Sequence, residues 1–128
     1  MEDFYKLLEL AKQKSKIDEN GSWKGGSNTY LNELKSEVDE VLEEYEKNRN
    51  CFLEEELGDI LWDYLNILIS VKKEKDIDMK SVFSRALKKY TQRVDAIKKG
   101  QTWAFIKKEQ KETLYKEWKN SLKKEKNI

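Results

Sequence analysis

Histidine and proline are absent from this 128-residue chain, cysteine occurs once, at Cys51, and glycine only five times. The lack of histidine excludes Ser-His-Asp and Cys-His catalytic arrangements and histidine-ligated zinc. A single cysteine excludes cysteine-rich metal sites and an internal disulfide. Catalysis, if present, has to use carboxylates, lysine, arginine, tyrosine or a bound metal. Long apolar runs are missing too: the most apolar stretch, ILWDYLNILISV, is short and interrupted by Asp63 and Asn66, so no membrane span is expected. The opening MEDFYKLLELAK lacks the apolar core of a signal peptide, and a cytoplasmic location is the default expectation. A net charge of only +1 counts against a bulk electrostatic nucleic-acid binder.

What the chain does have is charge and helix formers. Charged residues make up 40% and hydrophobic ones 38%. With no proline and little glycine, this composition predicts an all-α fold: a bundle of four to five helices in a single domain spanning 1–128. So modest a core would gain from oligomerisation. The charge is unevenly spread, with acid in the middle and base at the end. From Lys98 onward there are ten lysines and four glutamates, preceded by Arg85, Lys88, Lys89 and Arg93. Most of these basic residues read as a solvated helix face.

Apolar spacing predicts a first helix over 2–16, with Phe4, Leu7, Leu8 and Ala11 on one side. The segment DENGSWKGGSN, residues 18–28, reads as a loop in which Ser27 or Asn28 caps the next helix. Trp23 in that loop either lids the core or stacks on a nucleobase. A second helix, about 29–48, carries Leu31, Leu34, Val38, Val41 and Tyr45. A third, about 52–74, carries Leu53, Leu57, Ile60, Tyr64, Ile67, Leu68 and Val71. Val82, Ala86, Tyr90, Val94 and Ile97 mark the face of a later helix, and a basic C-terminal helix is expected over about 102–125.

Two acidic pairs at i, i+3 spacing, Glu37 with Glu40 and Glu56 with Asp59, lie in the second and third helices. Residues three apart share a helix face, so each pair offers two carboxylates to one small cation. Glu33, Glu37, Glu40 and Glu44 form a stripe flanking the apolar centre of the second helix, and Glu56, Asp59 and Asp63 lie on one side of the third. A short connection makes these helices antiparallel neighbours, so the two acidic flanks can meet. Four converging carboxylates repel unless a cation joins them, and an oxygen-only set suits Mg²⁺ or Mn²⁺. Chance alone gives roughly five such pairs in so acidic a chain, so a solvated acidic face stays open beside the metal site. Gly58, inside the third helix, suggests close approach of another backbone.

SEVDE followed by EEELGDILWDYLNIL resembles the MazG-like nucleoside triphosphate pyrophosphohydrolases of the all-α NTP pyrophosphatase superfamily, whose signature is EExxE and then ExxD. Fifteen residues separate Glu40 from Glu56, within the usual interval. The resemblance implies that Glu37, Glu40, Glu56 and Asp59 are Mg²⁺ ligands, with Glu37 or Glu40 as the catalytic base. It further implies cleavage of a nucleoside triphosphate between the α and β phosphates. SRALKKYTQR is similar to the family's later basic helix, which implies triphosphate contacts for Lys89 and Arg93. WKGGSNTYLNELKSE is similar to the tryptophan-containing entry to the first metal helix, which puts Lys35 near the acidic pair. Tyr115 and Lys119 correspond to the family's late Trp and Lys, with Trp118 as another alignment. The family assembles into homodimers or homotetramers, and Trp62 suits a subunit or base contact. Ser36 replaces the first Glu of EExxE, and Leu87 replaces a common Asn. Two other readings remain: a non-catalytic helical assembly module, and a nucleic-acid accessory protein, disfavoured by the neutral charge.

Overall fold

The structure, a computed structural model, describes residues 1–21 and 25–126. Among these residues there are five helices and no strand: α1 (Glu2–Asn20), α2 (Ser27–Lys47), α3 (Asn50–Lys75), α4 (Met79–Lys98) and α5 (Trp103–Lys126). The all-α expectation holds. No described helix is long and apolar enough to cross a membrane. The chain forms two compact units, Met1–Met79 and Lys80–Ile128.

In the first unit, α3 is the central element and packs against both α2 and α1. The apolar face expected of α1 is the one it buries: Ala11 is fully enclosed, and Phe4, Leu7 and Leu8 are half-buried. The helix runs through Asp18–Asn20, past the expected end, because side chains there have partners. Lys14 donates to Asp18 at 2.7 Å and to the Tyr30 hydroxyl at 3.2 Å, and Lys73 of α3 pairs with Glu19. α2 starts at Ser27, with Gly26 as its N-cap and no side-chain cap. The cap expected from Ser27 or Asn28 is replaced from afar: Glu74, near the end of α3, accepts the Ser27 N–H at 3.3 Å. A Cβ at position 26 would lie 2.7 Å from that carboxylate, so glycine keeps the approach open.

The link between α2 and α3 is only two residues long, which enforces an antiparallel hairpin. Asn48 takes the left-handed conformation that stops α2. Arg49 then turns back onto the buried Glu44 carboxylate and stacks 4.1 Å from the centre of the Phe52 ring. The guanidinium holds the Glu44 carboxyl below its ordinary value. This pair fixes the turn, and with it the register in which the two helices face each other.

That register differs from the one the apolar pattern suggests. α2 packs through Ser27, Tyr30, Leu34, Glu37, Val41 and Glu44, which repeat every three and four residues, whereas Leu31, Val38 and Tyr45 are exposed, Tyr45 by 72%. Likewise α3 turns Leu53, Glu56, Ile60 and Asp63 inward, with Leu65, Asn66 and Leu68 buried further on, while Leu57, Leu61 and Tyr64 are exposed. Each helix is apolar on two faces sharing Leu34 and Val41, or Leu53 and Ile60. One neighbour can cover only one face, and the face chosen carries the carboxylates. Trp62, which helical spacing sets about opposite the apolar centre of α3 and so predicts to be exposed, is half-buried.

In the second unit, α4 ends in a Schellman turn at Gly100, whose φ is +83°, with Gln101 N–H bonded to Ala96 O at 2.9 Å. α4 buries only Arg93 and Ala96, and Ala86, Tyr90, Val94 and Ile97 of its expected face stay exposed. Polar side chains join α4 to α5: Arg85 pairs with Glu117 at 2.8 Å, and Arg93 bonds Gln110.

Gly58 does not mark a close approach. It is exposed, and no described atom lies within 4 Å of a Cβ built there. Gly58→Ala is therefore expected to raise stability by about 1 kcal/mol in urea denaturation. A loss of stability would reveal a neighbour against α3 that the single chain lacks.

Candidate metal and phosphate site

The seam between α2 and α3 carries carboxylates where a bundle would otherwise place leucine. Glu37 is half-buried on α2, and Glu56 is half-buried on α3. One oxygen each from Glu37, Glu56 and Asp59 lie within 4.8 Å of one another. Glu40, on the exposed side of α2, stands close enough to both glutamates to disturb their ionisation. Three of the four acids picked out in the sequence thus meet, and Glu40 stands beside them. Glu44, counted there as part of the same stripe, is withdrawn from the cluster by Arg49.

These groups cannot satisfy one another as carboxylates, because every ionised oxygen is an acceptor. Glu37 Oε2 and Glu56 Oε2 are sealed from solvent without a hydrogen-bond partner. Burial pushes the Glu37 carboxyl up from 4.5 to about 8, reinforced by Glu40 and Glu56 within hydrogen-bonding reach and by the charge of Asp59. The Glu56 carboxyl is also raised, by burial first and then by Glu40. Orphaned acceptors, an oxygen-only donor set and mutual repulsion are what a hard divalent cation relieves. The residues fit such an ion.

Asp63, one turn beyond Asp59, is the acid that sequence reasoning set on the same side of α3 as Glu56 and Asp59 but left out of the ligand set. It is 4% exposed, and its Oδ2 has no partner. Burial, then the charges of Glu33 and Asp59, push its carboxyl up from 3.8 to about 6. The available signal was its spacing of four from Asp59 inside the most buried stretch of α3.

The remaining candidates divide. Lys35 is exposed, and two residues before Glu37 it lies near the opposite side of α2; the helix does not bring it to the acidic cluster. Lys89 is exposed on α4, whereas Arg93 is buried against Trp103 and Tyr90. Tyr115 and Lys119 pair with each other on the exposed side of α5, ammonium 5.0 Å from the ring centre, and no bond among the described residues joins them to Lys89 or Arg93. Trp23 lies outside the described residues.

Residues 26–98 match the family model described as the MazG nucleotide pyrophosphohydrolase domain. No curated protein and no solved structure matched the chain. The matched span contains the acidic cluster, Asp63, Lys35, Lys89 and Arg93. Tyr115, Lys119 and the whole of α5 fall beyond it.

The raised carboxyls set a pH dependence. Stability from protonated Glu37 is fully present below its ordinary 4.5 and is lost as pH rises through about 8; that from Asp63 is lost between 3.8 and about 6. In EDTA, the melting temperature is expected to fall from about pH 4 to about pH 8. Glu37→Gln should flatten the upper part of that fall and Asp63→Asn the lower part. A melting temperature that climbs across this range contradicts the placement of both groups.

Proposed function

Because the chain belongs to the MazG nucleotide pyrophosphohydrolase domain family, we propose that it hydrolyses nucleoside triphosphates between the α and β phosphates in a Mg²⁺-dependent reaction, with Mn²⁺ as a substitute. The observation that carries this reading is the convergence of Glu37, Glu56 and Asp59 on a seam whose inner oxygens have no protein partner. Glu37, Glu40, Glu56 and Asp59 are the residues that would hold the ion. When bound there, it supplies neutralisation of phosphate charge and lowers the pKa of water.

The chain's own residues then have defined tasks. Glu37 or Glu40 accepts a proton from the water that attacks the α phosphorus. The bond from that phosphorus to the bridging oxygen breaks, and pyrophosphate leaves with the electron pair. The paired helices exclude bulk water from the inner oxygens of Glu37 and Glu56 and hold their carboxylates in place. Lys89 and Arg93 are the cations assigned to phosphate, Arg93 through its forked donors. Lys35, Trp23, Tyr115 and Lys119 are secondary candidates for contact with the nucleotide.

Assembly into a homodimer or homotetramer belongs to the same proposal. Leu31, Val38, Leu42 and Tyr45 on α2 and Leu57, Leu61 and Tyr64 on α3 remain exposed in the chain. A row of large apolar residues of this extent usually marks a contact surface. Sedimentation of the protein as a monomer alone would contradict it.

Glu37→Gln and Glu56→Gln are expected to lower pyrophosphate release by more than the roughly 100-fold that loss of an outer-shell metal partner costs. Their helical circular dichroism should stay intact. A panel of ribo- and deoxyribonucleoside triphosphates with Mg²⁺ should yield pyrophosphate as the first product. Orthophosphate as the first product would refute α–β cleavage, and unchanged turnover in both variants would refute the metal assignment.

A further inference from the structure

Arg93 is the one arginine that the structure buries, at 6% exposure, yet among the described residues no carboxylate lies within ion-pair distance of it. Arg49 has Glu44 and Arg85 has Glu117. A buried guanidinium without a counter-charge is costly unless its surroundings are suited to it or an anion arrives. Here the described partners are two aromatic rings and an amide, and the Lys89 ammonium shares the Tyr90 ring. The guanidinium carbon lies 4.7 Å from the centre of the Trp103 ring and 5.3 Å from that of Tyr90, within cation–π range. Its Nε–H donates to Gln110 Oε1 at 2.9 Å.

Gln110 can adopt only one orientation there. Its Nε2 donates to the carbonyl oxygen of Lys89 and to Gln92 Oε1, both at 2.9 Å, which directs Oε1 at Arg93. Flipping the amide would set its NH₂ against the Nε–H and its oxygen against the Lys89 carbonyl, a double mismatch. The Arg93 side chain is therefore gripped at its inner edge by a bond of fixed polarity and on its ring-facing surface by Trp103. The two terminal nitrogens have no bond to a described residue and are not sealed from solvent. A glutamate at 110 could make the same bond, but it would cancel the charge; the amide orients the guanidinium and leaves its charge intact.

We propose that Gln110, with Trp103, is a positioning residue that presents the terminal nitrogens of Arg93 to the phosphoanhydride group of the nucleotide. This makes α5, which lies beyond the family match, a working part of the phosphate grip. The inference rests on the proposed role of Arg93 as a phosphate contact. The ligand class is a pyrophosphate-type anion, whose adjacent oxygens suit the two parallel donors of a guanidinium.

The test uses the full chain with Gln110→Glu, Gln110→Met and Arg93→Gln. Pyrophosphate binding is measured by calorimetry in EDTA, and triphosphate hydrolysis with Mg²⁺ and thermal melting are measured in parallel. Gln110→Glu gains an ion pair but, like Gln110→Met, loses the two bonds that Nε2 donates, so it should melt no lower than Gln110→Met, yet bind pyrophosphate at least tenfold more weakly than the parent chain and show a raised KM with kcat little changed. Gln110→Met should weaken binding less, and Arg93→Gln should remove it. A merely structural role would make binding follow the melting temperature, and Gln110→Met decides the point if Gln110→Glu does not fold. Parent-like pyrophosphate affinity in both Gln110 variants overturns the inference even where hydrolysis is seen. A parent chain that binds no pyrophosphate overturns it as well. Arg93- and Gln110-dependent binding without pyrophosphate release from any triphosphate upholds the inference and sinks the hydrolase reading instead.

Discussion

Like charges forced together at the contact of α2 and α3 are the constraint on which the rest of the first unit depends. Packing one face of each helix on the other brings Glu37, Glu56 and Asp59 within 4.8 Å, an arrangement that is unfavourable in the bare protein. It persists because the surrounding elements over-determine it. The Glu44–Arg49 pair closes the turn, Glu74 holds the start of α2, and α1 braces α3 through Ala11 and Lys73. Local destabilisation supported by the wider fold is a familiar property of sites that must stay poised for a ligand.

The second unit poses the opposite electrostatic problem with a similar answer. Arg93 is a cation held without an anion, steadied by rings and by a neutral amide rather than by a carboxylate. Ion pairing would make both regions more stable and less useful. An uncompensated acidic cluster suits a divalent cation, and an uncompensated guanidinium suits phosphate.

Much of this was legible in the residues themselves. Composition indicated the all-α class, and helical spacing located α1, α2, α3 and α5 to within a few residues and marked one face of α4. The i, i+3 acids, on helices joined by a short turn, included Glu37, Glu56 and Asp59, whose oxygens meet. What escaped was rotation. Leu31, Val38 and Tyr45 outweigh Ser27, Tyr30 and Glu37 in any apolar count, so the sequence points to the wrong face of α2. Burial of the acidic face follows from a tertiary register set by Arg49, Glu74 and Lys14, which no local pattern encodes. Gly58 misled for a related reason: a helix-interior glycine suggests crowding, but the site is open in the single chain. Gln110 was invisible because an amide in a lysine-rich helix reads as solvated surface until its three hydrogen bonds are seen.

The central claim is that the carboxylates of the α2–α3 seam hold one or more divalent cations at a defined site. Titrating Mn²⁺ into the protein while following the free-ion signal by electron paramagnetic resonance measures this without reference to any reaction. The account predicts saturable binding in the parent chain that is lost in Glu37→Gln and in Glu56→Gln, and is kept when Glu2, an exposed acid of α1 paired with Lys6, is replaced by Gln. Equal Mn²⁺ uptake by the parent and by both seam variants would contradict it.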